Sequence, residues 1–272
     1  MTVDGEHKLD IPPLTGRIRT EYDEPAIVEA LKTCGALLEE ARILEASRNR
    51  VGIVTLPMRE EKTAEFVIKE FRIKGVNRWK SVLLPSKALK AWRGSLALVE
   101  RGFWTPLPVA YCERKTSLFL DQSYFITEYV PGVEEVRTLF RELPQKELRP
   151  LLRELARYLA RCTESGILHR DLSDGNVLVE RMDDGQLRFF LLDTNRIRCR
   201  KRVGTFKGIK SLIRLGVPAD LQRFFLKAYV SPSPVKGVHW LWYRMNKSCF
   251  SGYIGIKKLL RLKKLAQKLR IQ

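Results

Sequence analysis

Apolar positions change period several times along the chain, and each change marks an element. Residues 24–40 carry apolar side chains at helical spacing. Residues 42–56 alternate as two strands around the polar turn Ser47-Arg48-Asn49-Arg50, and residues 64–72 read as another strand. Pro85-Ser86 opens a helix that runs to about Arg101, with Ser86 as its N-cap and Gly102 as its stop. Residues 106–112 and 123–130 supply further strands. Residues 1–20 are polar, contain Pro12-Pro13 and predict a loose tail.

The pattern then turns helical. Pro131-Gly132 predicts a hinge, followed by helices near 133–142 and 145–164, the second with Leu151, Leu152, Leu155 and Leu159 on one face. Residues 167–179 read Ile-Leu-His-Arg-Asp-Leu-Ser-Asp-Gly-Asn-Val-Leu-Val, a polar loop between two apolar runs. A strand from Asn176 to Glu180, an Asp-Gly turn within Met182–Gln186 and a return strand through Phe189-Phe190-Leu191-Leu192 predict a hairpin ending at Asp193. The remainder is mostly helical. The predicted class is α+β, with a β-rich part at 21–130, a mostly helical part at 131–253 and a basic amphipathic helix at 254–272. No internal repeat is present.

The loop and hairpin carry the chemistry. Asp171 precedes Asn176 by five positions, and the hairpin predicts that Asn176 and Asp193 share one end of a ribbon. Phosphoryl transfer needs such groups: one carboxylate to orient and deprotonate an acceptor hydroxyl, then an amide oxygen and a second carboxylate to hold Mg²⁺ against ATP phosphates. Magnesium takes oxygen ligands and completes its shell with phosphate and water.

These pieces, with Phe66-Val-Ile-Lys-Glu-Phe71, Gly102-Phe-Trp-Thr-Pro-Leu-Pro-Val-Ala-Tyr111, Ile126-Thr-Glu-Tyr-Val-Pro-Gly132 and Leu191-Leu-Asp-Thr-Asn-Arg196, occur in family order over roughly residues 40–230. The chain resembles the bacterial lipopolysaccharide kinase (Kdo/WaaP) family, of protein-kinase-like fold. The resemblance implies two lobes, a small β-rich N-lobe and a mostly helical C-lobe. It also implies that Lys69 reaches the α/β-phosphates of ATP while Val67 packs over adenine. The backbone of Glu128 and Val130 would bond the adenine edge, and Asp171 would be the catalytic residue. Asn176 and Asp193 would hold Mg²⁺. Ser47, Arg48 and Arg50 would face the phosphates in place of a glycine-rich loop, arginine being suited to bidentate phosphate binding.

Three departures from the protein-kinase pattern stand out. There is no Gly-x-Gly-x-x-Gly. Where the helix at 86–101 should carry a glutamate for Lys69 the chain has Ala91, and Glu100 lies about 13 Å further along the helix. Asp193-Thr-Asn-Arg replaces Asp-Phe-Gly, no Ala-Pro-Glu follows, and the 79 residues after Asp193 predict a small-molecule or glycolipid acceptor. Ser173 stands where many protein kinases have a lysine.

Charge sharpens the picture. Residues 1–193 hold 30 Lys/Arg and 30 Asp/Glu, whereas residues 194–272 hold 20 Lys/Arg and one acid, Asp220, so the formal net charge of +19 lies entirely in the last part. Such a field suits an anionic partner. Residues 256–272 combine Lys257, Lys258, Arg261, Lys263, Lys264, Lys268 and Arg270 with a leucine-rich face, and Trp240, Trp242 and Tyr243 lie upstream. That pattern predicts contact with an anionic membrane surface. No RNA-binding motif accompanies it, which argues against nucleic acid. Five dispersed cysteines, no N-terminal apolar leader and no run of about 18 apolar residues predict a cytoplasmic protein, peripheral on the inner membrane.

The expected activity is an ATP-dependent, Mg²⁺-requiring kinase acting on a sugar hydroxyl, which the resemblance places in the lipopolysaccharide inner core. Two alternatives remain open at this point. One is a membrane-associated pseudokinase or nucleotide-binding scaffold, motivated by Ala91 and the missing glycines. The other is a kinase for a protein or soluble metabolite.

Overall fold

A computed structural model of the chain describes residues 5–46, 49–58, 62–73 and 76–269, with the side chains of residues 76–78, 80 and 261–269 outside the described set. The chain divides into two compact units, residues 1–134 with 178–199, and residues 135–177 with 200–272.

The first unit is built on a seven-stranded antiparallel sheet: β1 (Glu6–Ile11), β2 (Leu14–Arg19), β3 (Arg42–Glu45), β4 (Arg50–Pro57), β5 (Thr63–Glu70), β6 (Pro108–Thr116) and β7 (Phe119–Glu128). The spatial order is β1-β2-β6-β7-β5-β4-β3. Strand alternation decides what each face receives. On β5, Phe66 and Ile68 turn into the main core with Tyr22, Ile27, Leu38 and Ile126, beneath α1 (Pro25–Lys32) and α2 (Cys34–Glu40). Burying one such side chain stabilises the unit by about 1.5–3 kcal/mol. Val67 and Lys69 therefore fall on the opposite face. There the helix α4 (Lys87–Val99) packs Ala88, Ala91 and Trp92 against Phe71 and Phe125. Ser86 caps α4, its hydroxyl oxygen accepting from the Leu89 amide at 2.9 Å.

Two features depart from the sequence expectation. The expected loose tail at 1–20 is instead, over residues 6–19, the hairpin β1–β2, which pairs with β6 through residues Thr15–Ile18 and buries Leu9, Ile11, Leu14 and Ile18. Its apolar positions are sparse and are separated by charges, so that only the docked sheet reveals a buried face. A helix α3 (Val76–Leu83) was not anticipated; its large apolar residues Trp79 and Leu83 are exposed, 72% and 87%. The hairpin Val177–Arg181 and Leu187–Leu191 forms as expected, closed by the Met182 amide on Gln186 O at 2.9 Å, and residues 178–199 group with the first unit.

The second unit is helical: α5 (Val136–Glu142), α6 (Gln145–Glu164), α7 (Thr205–Ser211), α8 (Gln222–Val230) and α9 (Gly237–Leu269). Leu148, Leu151, Leu152, Leu155 and Leu159 form the buried stripe of α6. The Tyr229 hydroxyl of α8 meets Thr163 Oγ1 at 2.7 Å. Helix α9 starts well before the expected position, because Tyr243 is buried and the Trp242 indole donates to Phe206 O at 2.9 Å. From Ser251 to Leu260 it is almost wholly exposed. Among the described residues no helix is long and apolar enough to cross a membrane.

Candidate active site

In the first unit, β5 delivers Lys69 to the α4 face, where its ammonium pairs with the Asp193 carboxylate and lies 5.4 Å from the Phe71 ring centre. Asp193 follows the hairpin strand Leu187–Leu191 and adopts a left-handed backbone, φ 53° and ψ 43°, a conformation that aspartate tolerates better than most side chains. Both flanks of the turn are fastened. Before it, Leu191 donates to Trp104 O at 3.0 Å, and Thr105 Oγ1 donates to Leu191 O at 2.8 Å. After it, buried Thr194 donates to Ala91 O at 3.0 Å and accepts from Ser95 Oγ at 2.9 Å. Ala91, Gly94 and Ser95 form a seam of small residues on α4 that lets this turn approach closely. A Cβ at Gly94 would stand 2.1 Å from Thr194 O.

The seam accounts for Ala91. In place of a glutamate on the helix, Asp193 itself supplies the anion for Lys69, and Ala91, 2% exposed, supplies room and a carbonyl for Thr194. Sequence reasoning missed Thr194. The signal was present in the spacing of Ala88, Ala91, Gly94 and Ser95.

The segment after β7 is also anchored. Tyr22 donates its hydroxyl to Glu128 Oε1 at 2.5 Å, the Glu128 amide bonds Leu107 O at 2.9 Å, and the Tyr129 amide bonds Glu65 O at 3.0 Å. Burial first, then the Glu128 carboxylate, pushes the Tyr22 phenol far above its usual range. Val67 and Val130 are half-buried, and Arg50 lies at the start of β4 opposite Glu70 of β5. Ser47 and Arg48 lie outside the described residues.

In the second unit, the loop after the short strand Ile167–His169 presents Asp171. Buried His169 accepts from the Asp171 amide through Nδ1 at 3.1 Å, so the ring braces the loop rather than facing outward. Asn176 donates its amide NH₂ to Asp171 O at 2.8 Å. That bond fixes the five-residue spacing physically: it closes the loop and orients the side-chain oxygen of Asn176 away from it. Arg214, just after α7, pairs with the Asp171 carboxylate, and Arg137 of α5 lies 3.5 Å from Asp174. Arg214 was missed because it arrives from a distant part of the basic C-terminal region and belongs to no motif. Lys247 of α9 donates to Ile213 O at 3.2 Å and Leu215 O at 3.0 Å, which steadies the segment bearing Arg214. Burial lowers the Lys247 pKa, against the attraction of Asp174. The candidate residues thus fall in different units, Lys69 paired with Asp193 in the first and Asp171 bonded to Asn176 in the second.

The profile of the lipopolysaccharide kinase (Kdo/WaaP) family matches residues 70–225, more than half of the chain. This protein belongs to that family. Among solved structures it resembles WaaP in complex with acyl carrier protein, with a TM-score of 0.55 and 19% identity, over 80% of this chain and 91% of that one. This likeness confirms the protein-kinase-like fold. Among curated proteins the chain is 31% identical over 86 residues to cyclin-dependent kinase B2-1 of Arabidopsis thaliana, covering 32% of this chain and 26% of that protein. It is 33% identical over 69 residues to cyclin-dependent kinase B2-2 of the same plant, covering 25% and 22%. The chain therefore spans about a quarter of the length of the curated relatives it matches.

Proposed function

We propose that this kinase transfers the γ-phosphoryl group of ATP to a sugar hydroxyl of the lipopolysaccharide inner core, at the cytoplasmic face of the inner membrane. The observation that carries the reading is the ion pair between Lys69 and Asp193, which couples the strand expected over the nucleotide to the carboxylate expected at its phosphates. Lys69 would contact the α/β-phosphates, Val67 would cover adenine, and the backbone of Glu128 and Val130 would bond its edge. Ser47, Arg48 and Arg50 would line the phosphate side.

Asp171 would orient the acceptor hydroxyl and take its proton late in transfer, where positioning matters more than basicity because the transition state is loose. Arg214 beside Asp171 puts a guanidinium in the loop that carries Ser173 in place of lysine, suited to charge developing on the transferred group. The donor set suits magnesium. Asn176 commits its NH₂ to Asp171 O and keeps a carbonyl oxygen, and Asp193 is a carboxylate. Among the described residues no three His, Cys, Asp or Glu side chains cluster, so phosphate oxygens would complete any shell. Bound Mg²⁺ would neutralise phosphate charge during transfer.

The distal part of α9 supports membrane contact. Tyr253, Ile256, Leu259 and Leu260 are 59%, 62%, 56% and 54% exposed, beside Lys257 and Lys258. Apolar side chains interleaved with lysines fit an anionic interface, each cation adding on the order of 1 kcal/mol. The solved relative's acyl carrier protein makes that small protein a partner to assay here as well.

The test is mass spectrometry of cell-envelope glycolipids with and without the gene, beside turnover of Mg-ATP by purified protein on lipopolysaccharide core acceptors. Loss of one core phosphate with the gene is the expected result. An unchanged core sinks the acceptor assignment. Nucleotide binding without turnover on any acceptor favours the scaffold reading that Ala91 first suggested.

A further inference from the structure

A cavity of about 130 Å³ opens at the N-terminal end of α4, on the face of the sheet that carries Phe125. Phe71, Leu84 and Leu120 wall it, and Arg72, Lys87 and Lys90 edge it. The volume is several times the ~30 Å³ share of one water. Alternation along β7 puts Ser123 on the same face as Phe125, which packs on α4, and Ser123 belongs to the lining of this space. Ser123 is 0% exposed, and its Oγ has no hydrogen-bond partner among the described residues. A buried hydroxyl left without a partner costs about 1–3 kcal/mol, so its persistence asks for an occupant.

Charge identifies the occupant's chemistry. Burial holds the Lys90 pKa below its usual value, and Arg198, Arg196 and Lys87 lower it further. Positive charge is thus crowded at the rim. Glu70 ends the neighbouring strand β5, opposite Tyr124, and two carboxylates on β6 and β7 are engaged. Glu113, opposite Ser123 in the β6–β7 register, takes the Ser86 hydroxyl, and Asp121 pairs with Arg114. A strong hydrogen-bonding anion with an apolar body matches such a basic rim, apolar walls and orphan hydroxyl.

We propose that this cavity binds a small organic phosphate, its phosphate between Arg72 and Lys90 within reach of the Ser123 hydroxyl, and its apolar part against Phe71, Leu84 and Leu120. Neither Lys69 nor Asp193 lines the cavity, and its existence does not depend on the acceptor proposed above.

The test is isothermal titration of the full chain with phenyl phosphate, with inorganic phosphate and phenol as comparison probes. Saturable binding tighter for phenyl phosphate than for either probe is expected. Lys90→Ala and Ser123→Ala should each weaken it about tenfold, the scale of one charge-assisted hydrogen bond. Asp193→Ala should leave it unchanged. The proposal is overturned by absence of saturable binding, by equal affinity for inorganic phosphate, by binding that survives both cavity variants, or by loss in Asp193→Ala.

Discussion

Gly94→Ala separates what the helix alone dictates from what the docked turn dictates. In an exposed helix interior this substitution stabilises by about 1 kcal/mol, because alanine loses less backbone entropy on folding. Here the sign should reverse. The new Cβ would stand 2.1 Å from Thr194 O and 2.9 Å from Thr194 C, both backbone atoms. Ordinary contact requires the turn to retreat by about 1 Å, and overpacking of that kind costs about 1–3 kcal/mol. The retreat also removes the bonds of Thr194 to Ala91 and Ser95, 3.0 and 2.9 Å long, at about 1 kcal/mol each. Less the helix gain, the net loss is about 2–4 kcal/mol, a fall in Tm of roughly 5–15 °C for a chain of this size. Urea denaturation at constant m-value measures it. Since the turn carries Asp193, phosphoryl transfer should fall as well, and a 1 Å displacement can cost about 100-fold. A variant that is more stable than the parent, or as active, refutes the claim that α4 holds this turn.

Asp171→Ala should lower kcat by about 10²–10⁴ while the circular dichroism spectrum is unchanged, and undiminished turnover would remove Asp171 from the mechanism. The contribution of Tyr229 to stability should be constant below about pH 10 and decline toward pH 12. Burial raises the Tyr229 phenol to about 12, so the folded chain keeps a proton that the unfolded chain loses near 10, and Tyr229→Phe should lessen the decline in urea midpoint. Removing residues 251–272 should leave the urea midpoint unchanged, because residues 251–260 are almost wholly exposed, and should weaken sedimentation with anionic vesicles. Equal vesicle binding would assign the basic face of α9 another role.

Legibility followed the range of the interactions. The hairpin, the capped helix α4 and the leucine stripe of α6 are local, and periodicity and turn residues betray them. The β1–β2 hairpin was not legible, because its buried face exists only once it pairs with β6, some 95 residues away in sequence. Arg214 was hidden for the same reason, since its partner Asp171 is brought to it by the fold of the second unit. Lys69, Asp171, Asn176 and Asp193 could be singled out as candidates because phosphoryl chemistry constrains residue type and spacing together.

Ala91 shows where motif reasoning fails in an instructive way. Comparison with protein kinases makes the missing glutamate a defect, since it would leave Lys69 without an anion. That inference assumes the helix is the only source of a carboxylate. The structure has another, and the two solutions compete for the same space. A glutamate at position 91 would have to enter a buried face packed against Phe71 and Phe125, next to the backbone carbonyl that holds Thr194. With a small residue the turn can dock, and docking places Asp193 against Lys69. The absence of glutamate and the ion pair are therefore one packing decision. Ala91→Glu should disrupt the site rather than restore it.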